Sequence, residues 1–121
     1  MLQEPLFDGL TLCCEVIPMG RDYLLSVYGG DTPHVGSVCV SAARPSRSGE
    51  GLGVSTSVIN GPGHKDEAVG RRFSEAVALQ QGCTAVCACG IHIDHITSAQ
   101  IGMVQQAGER LLRKVLASLQ G

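Results

Sequence analysis

The sequence predicts an α+β domain in which two helices cover one face of a mostly antiparallel sheet of five strands. Four early apolar runs alternate like strands, two later runs repeat at helical spacing, and a short buried run separates the two helices. The predicted order is β-β-β-β-α-β-α. A chain of 121 residues is long enough for one domain, spanning 1–121, with its own core.

The four early strands are expected at 10–17, 22–28, 35–43 and 52–59. Residues 18–21 (PMGR) have proline and glycine where a hairpin turn favours them, so the first two strands should pair. Successive side chains of a strand point to opposite faces. Cys13 and Cys14 should therefore not form a disulfide with each other.

The helices are expected at 64–81 and 97–119. Val69, Phe73 and Val77 recur at helical spacing in the first, and Thr97 and Gln100 have capping-box spacing at the start of the second. Residues 83–91 between them are apolar and bounded by glycine, like a buried strand. The connection from the fourth strand to this one should be a right-handed parallel crossover.

Strand direction places three polar loops at one edge of the sheet. In a meander the second and fourth strands run the same way, and the crossover makes the fifth strand run with them. The loops that follow these strands therefore leave the same edge. They contain all four histidines and three aspartates: His34, His64, His92, His95, Asp31, Asp66 and Asp94.

The stretch GIHIDHIT, at 90–97, is the first of these loops to suggest a site. Polar groups at the carboxyl end of a strand are where open α/β sheets place ligands, and imidazole can bind metal, move protons or hold an anion. The alternative is a turn before a capped helix. Convergence of three loops favours a site, with His92 as the first candidate and His95 as the second. His92 and Asp94 should point the same way if the strand geometry continues.

The other two loops each have a structural alternative of their own. In GPGHKDE, Gly61 and Gly63 precede a helix start, and His64 and Lys65 add positive character that suits a phosphate or carboxylate. Ordinary helix-start chemistry explains this turn equally well. In GGDTPHVG, Asp31 and His34 matter only if the loop meets the other two, since glycine and proline alone make a turn.

Composition excludes several function classes. The net charge of −2 and the absence of tryptophan argue against nucleic-acid binding, and no apolar run approaches the roughly 18 residues of a membrane span. The acidic N-terminus lacks the basic region of a secretory signal, so we expect a cytoplasmic protein with reduced cysteines. No CxxC pair marks a zinc site, and no motif marks a nucleophilic cysteine.

With GGDTPHVG, GHKDE and GIHIDHIT in this order, the sequence resembles the prenylated-flavin chaperone family, whose LpdD-type members accompany gallate- and hydroxybenzoate-type decarboxylases. The resemblance covers roughly 23–119. It implies a fold similar to proteasome assembly chaperones and a non-catalytic helper, which we expect to be a homodimer. The helper would bind prenylated flavin mononucleotide (prenylated FMN) and mature it for, or deliver it to, a UbiD-type decarboxylase.

The resemblance also implies a cofactor site built from the three loops. Its candidate residues are Asp31, His34, Gly61, Gly63, His64, Lys65, Asp66, His92, Asp94 and His95. The turn at 61–63 and Lys65 would receive the phosphate, and His34, His92 and His95 would line the ring system. A flavin ring favours an aromatic or apolar wall, which Tyr28, Ile91, Ile93 or a second copy of the chain would supply.

Two other functions stay open from the sequence. One is a small metal-dependent enzyme that takes its ligands from His34, His64, His92 and His95, together with loop aspartates. The other is a purely structural component of a decarboxylase.

Overall fold

The computed structural model describes residues 1–62 and 67–120, which form one six-stranded sheet and two helices. The elements are β1 (Leu2–Pro5), β2 (Thr11–Met19), β3 (Asp22–Gly30), β4 (Ser37–Pro45), β5 (Leu52–Asn60), α1 (Glu67–Gln81), β6 (Thr84–His92) and α2 (Ser98–Leu119). The predicted α+β class and both helices are confirmed. Neither helix in the described part of the chain is long and apolar enough to cross a membrane.

The strand order β1-β2-β3-β6-β4-β5 corrects the predicted five-stranded meander. β1 adds a sixth strand, too short at four residues to show a clear alternating pattern. β6 lies inside the sheet, parallel to β3 on one side and antiparallel to β4 on the other. The sheet is therefore mixed, and β3 and β4 do not pair as a meander requires. The predicted parallel crossover is present, because β5 and β6 run the same way and α1 joins them, but it passes over β4. The likeness to proteasome assembly chaperones stays a prediction.

Three strands nevertheless end at one edge, as predicted. β5 and β6 are both antiparallel to β4, and β6 is parallel to β3, so β3, β5 and β6 run in the same direction. The connections that leave their carboxyl ends lie together at this edge. The connection from β3 to β4 must pass over the end of β6, because β6 separates these two strands.

Both helices pack on the same face of the sheet, as predicted. Phe73 and Val77 of α1, with Leu111 and Val115 of α2, belong to one buried cluster with side chains from β2, β3 and β6. The sheet contributes Leu12, Cys14, Leu25, Val27, Ala85, Cys87 and Cys89. Cys14 is buried there while neighbouring Cys13 lies outside the cluster, and both thiols are free. The expectation that these two cysteines point to opposite faces is confirmed.

Ion pairs from a carboxylate on β1 connect that edge strand to α2. Glu4 Oε1 accepts from Arg110 Nε at 2.6 Å, and Glu4 Oε2 lies 2.6 Å from Lys114 Nζ. The Glu4 side chain is only 9% exposed. Its hydrogen bonds to Lys114 and Arg110 hold the pKa of the carboxyl below its usual range, because they favour the charged form.

Candidate functional site

The loops that follow β3 and β6 are hydrogen-bonded to each other at the sheet edge. The backbone N–H of Asp31 donates to the His92 carbonyl at 2.7 Å, and the backbone N–H of Asp94 donates to Asp31 Oδ2 at 2.8 Å. The turn after β5 joins them, because the Gly61 N–H donates to the Gly36 carbonyl at 2.7 Å. Three loops predicted to share one edge are thus tied together.

Glycine permits this close approach at two positions. A Cβ on Gly90 in β6 would overlap the His34 carbonyl, which belongs to the loop that crosses the strand. Gly30 at the end of β3 has a φ of 85°, and a Cβ there would overlap the His92 carbonyl. Only glycine fits either position without moving backbone. The loops can therefore lie directly on the end of β6.

A cavity of about 650 Å³ opens beside these loops, between α1, α2 and the end of β6. Most of the named lining side chains are apolar: Ala68, Val69, Phe73, Ile91, Ile93, Ile96, Ile101 and Val104. Its volume lies within the range of roughly 300–1,000 Å³ that is usual for small-molecule pockets. An apolar cavity with a few polar groups can hold a flat, largely apolar ligand in a defined orientation.

Two of the predicted histidines lie on the cavity wall. His34 Nδ1 lies 3.0 Å from the Thr32 carbonyl, and His92 Nε2 lies 3.0 Å from Asp94 Oδ1. Carbonyl and carboxylate oxygens only accept, so each of these ring nitrogens is the donor. The His92–Asp94 contact agrees with the prediction that these two side chains point the same way. Each imidazole is therefore oriented by a hydrogen bond to a neighbouring acceptor at the wall of an apolar cavity.

Of the remaining predicted site residues, those that the structure describes are not on this wall. Asp31, Asp94 and Gly61 hold the loops together through the hydrogen bonds described above. His95 is exposed, has a φ of 54°, and is not among the lining residues. Gly63, His64, Lys65 and Asp66 lie outside the described residues.

A family model described as the prenylated flavin chaperone LpdD-like domain matches residues 7–120, nearly the whole chain. The chain belongs to this LpdD-like family. Protein LpdD of Lactiplantibacillus plantarum is 29% identical over 102 residues, which span 84% of this chain and 72% of that protein. The resemblance inferred from the three loop motifs is confirmed.

No sequence motif marks two charged residues on the cavity wall of this LpdD-like chain. Arg72 of α1 and Glu109 of α2 both line the cavity, and Arg72 Nε lies 3.2 Å from both carboxylate oxygens of Glu109. Within α2, Ile101 gives the one indication that this part of the helix lines a cavity. Ile101 recurs at helical spacing with Val104 and Leu111, which are buried, yet it is 47% exposed because it faces the cavity instead of the core.

The apolar wall of the LpdD-like cavity comes only in part from the expected residues. Ile91 and Ile93 line it, as predicted. Tyr28, the other alternative named within this chain, does not line this cavity. Tyr28 alternates with Val27, which is buried in the core beneath the helices, so its ring lies on the other face of the sheet. Its hydroxyl lies 3.4 Å from Met1 Sδ.

The described residues show no assembled metal site, and two of the buried thiols have raised pKa values. Among residues 1–62 and 67–120, no three His, Cys, Asp or Glu side chains are placed to hold a metal ion. Burial raises the pKa of the Cys14 thiol to about 12 and that of Cys87 well above its usual range. These thiols are poor nucleophiles, because the thiolate is the reactive form.

Proposed function

We propose that this LpdD-like protein is an accessory chaperone that binds prenylated FMN in the cavity between α1, α2 and β6 and delivers it to a UbiD-type decarboxylase. Membership of a prenylated flavin chaperone family supports the cofactor class. The observation that carries the proposal is the apolar cavity of about 650 Å³, at whose wall two oriented imidazoles stand.

The side chains of the cavity suit a prenylated flavin. A flavin ring system is flat, and the prenyl group adds apolar carbon, so both gain by leaving water for an aliphatic wall. Branched side chains such as Ile91, Ile93 and Val104 supply that wall where the chain has few aromatics. His34 and His92 can hydrogen-bond the polar edge of the ring. The turn at 61–63 and Lys65 remain the sequence-based candidates for the phosphate.

An accessory role requires that the cofactor can leave, and the cavity is open enough for this. Ile101 and Ile96 on its wall are 47% and 40% exposed, and His92 is exposed as well. A ligand held there remains partly in contact with solvent, so it can pass to a partner without unfolding the chaperone. The proposal includes a cytoplasmic location and a homodimer. Sedimentation velocity would detect the homodimer as a species of twice the 12.6 kDa chain mass.

Gel filtration of the protein mixed with prenylated FMN, with oxygen excluded, tests the binding step. We expect co-elution of protein and flavin absorbance at micromolar concentrations. Ile101→Glu should weaken binding roughly ten-fold or more, because it places a charge against the ligand. Ile17→Glu is the matched control, since Ile17 is 54% exposed and is not a lining residue. The absence of co-elution with the wild-type protein would contradict the proposal.

The histidines and the delivery step need separate measurements. His34→Ala and His92→Ala should weaken binding, whereas His95→Ala should not, because His95 is not a lining residue. Delivery is tested by adding the loaded protein to a cofactor-free UbiD-type decarboxylase and measuring activity. We expect faster activation than with the same concentration of free prenylated FMN. If Ile101→Glu activates as well as the wild type, the protein acts as a structural component and not as a carrier.

A further inference from the structure

One ion pair joins the two helices at the cavity wall. Arg72 Nε of α1 lies 3.2 Å from each carboxylate oxygen of Glu109 on α2, and the two side chains are 56% and 47% exposed. Both residues line the cavity, whose wall is otherwise mainly aliphatic. A cation and an anion thus lie at the edge of the apolar cavity, where they could contact a ligand bound in it.

The geometry allows a ligand to displace Glu109 from Arg72. Charge-assisted N–H···O bonds are usually about 2.7–2.9 Å long, and here one N–H is shared between two more distant oxygens. The pair is also half exposed, so water screens it. Within the described part of the chain, the Arg72 side chain donates to Glu109 alone, and it does so through Nε. The two Nη groups can therefore donate to a ligand.

A second basic residue lies near Glu109 on its own helix. Arg113 follows it by four residues, so the two side chains are neighbours on the surface of α2, in the orientation that favours an acid–base pair. Both residues also line one shallow depression beside the cavity. A Glu109 carboxylate displaced from Arg72 can thus pair with Arg113 and need not remain uncompensated.

We propose that Arg72 binds the phosphate of the flavin nucleotide, and that Glu109 pairs with Arg72 until the phosphate replaces it. The proposal rests on the function proposed above. A guanidinium offers a planar set of donors that matches phosphate, and a phosphate monoester carries about −1.5 to −2 charges at neutral pH, against −1 for Glu109. This assignment moves the phosphate away from the turn at 61–63 and Lys65.

The test compares prenylated FMN with its dephosphorylated form, prenylated riboflavin, by equilibrium dialysis without oxygen. Arg72→Gln should bind prenylated FMN roughly ten-fold or more weakly while binding of the dephosphorylated form stays within about two-fold. Glu109→Gln should bind prenylated FMN more tightly, because it removes the competing charge. Arg71→Gln is the matched control, since Arg71 is an exposed neighbour that does not line the cavity.

Further variants separate phosphate recognition from a role in holding the helices together. Arg72→Lys should lose only part of the preference for the phosphorylated flavin, because it keeps the charge without the planar donors. If Arg72→Gln weakens both flavins equally, or if Lys65→Gln abolishes the preference while Arg72→Gln retains it, the assignment is wrong and flavin binding still stands. If the wild-type protein binds neither flavin, the proposed function itself fails.

Discussion

The carbonyl oxygen of His34 lies directly against Gly90, at a point where any side chain on Gly90 would overlap it. Gly90 belongs to β6, and His34 belongs to the loop that crosses the end of that strand. The adjacent hydrogen bond from the Gly36 N–H to the Cys89 carbonyl, at 2.9 Å, keeps the loop on the strand. The position of the His34 side chain at the cavity therefore depends on the absence of a side chain at Gly90, in the strand that the loop crosses.

Gly90→Ala should destabilise the protein by roughly 2–3 kcal/mol, because the loop backbone would have to move away from β6. The free energy of unfolding from urea denaturation measures this, and prenylated FMN binding should weaken in parallel. Gly102→Ala is the control. Gly102 lies in α2 with nothing within 4 Å of an added Cβ, so alanine should stabilise by up to about 1 kcal/mol. A Gly90→Ala protein with wild-type stability and binding would contradict the loop assignment.

The sequence pattern predicted which side chains share a face and which way the strands run. It did not predict which strands lie next to each other in the sheet. Alternation identifies which side chains share a face, and a helical crossover implies parallel strands, so the shared edge of β3, β5 and β6 was predictable. Neither pattern says that β6 inserts between β3 and β4. That arrangement depends on close backbone contacts, such as the one at Gly90, which a sequence shows only as a glycine.

The same limit applies to the cavity. His34 and His92 could be predicted because each follows a strand that ends at the shared edge. Arg72 and Glu109 could not, since they are 37 residues apart on two helices. Whether they meet depends on how the helices are rotated when they pack on the sheet, and helical spacing within one segment does not determine this rotation.

Glu4→Gln should lower stability in a pH-dependent way. The contacts with Arg110 and Lys114 lower the pKa of folded Glu4 below its ordinary value of 4.5, so its ionic contribution is present above that value. This contribution is lost as the pH falls through the lowered pKa. We expect a deficit of roughly 1 kcal/mol at neutral pH, because both basic partners are about half exposed.

Urea denaturation of wild type and Glu4→Gln across a pH series measures this difference. The deficit should shrink below about pH 4.5 and vanish once Glu4 is protonated in the folded state. Glu50→Gln provides the control, since Glu50 is an exposed residue between β4 and β5. A deficit that stayed constant from neutral pH to about pH 3 would show that the ion pairs contribute no net stability.

Cys13 should be the fastest of the six thiols to react with a soluble disulfide reagent. It is half-buried, whereas Cys14, Cys39, Cys83, Cys87 and Cys89 are buried. Burial also raises the pKa of Cys39 and Cys83, as it does that of Cys14 and Cys87, and therefore depletes their thiolate form. Native protein should show one fast thiol, absent in Cys13→Ser, and six thiols after unfolding. Rapid labelling of several thiols in the folded protein would contradict this burial pattern.

Thr97→Ala should loosen the first turn of α2 and with it one wall of the cavity. Thr97 Oγ1 accepts from the Gln100 N–H at 3.1 Å, and Gln100 Oε1 accepts from the Thr97 N–H at 3.0 Å. Loss of this capping box should cost roughly 1 kcal/mol. Ile101 lies in the same turn and faces the cavity, so prenylated FMN binding should weaken as well.

Hydrogen exchange locates the effect of Thr97→Ala. The amides of Gln100 and Ile101 should exchange faster, because they donate to Thr97 Oγ1 and to the Thr97 carbonyl in the turn that loosens. The amides of Leu111 and Leu112, in the buried middle of α2, should change only as much as the global loss of stability requires. Ser98→Ala is the matched control, since Ser98 is exposed and adjacent and takes no part in the capping box. Equal acceleration in both variants would show that the capping box does not hold this wall of the cavity.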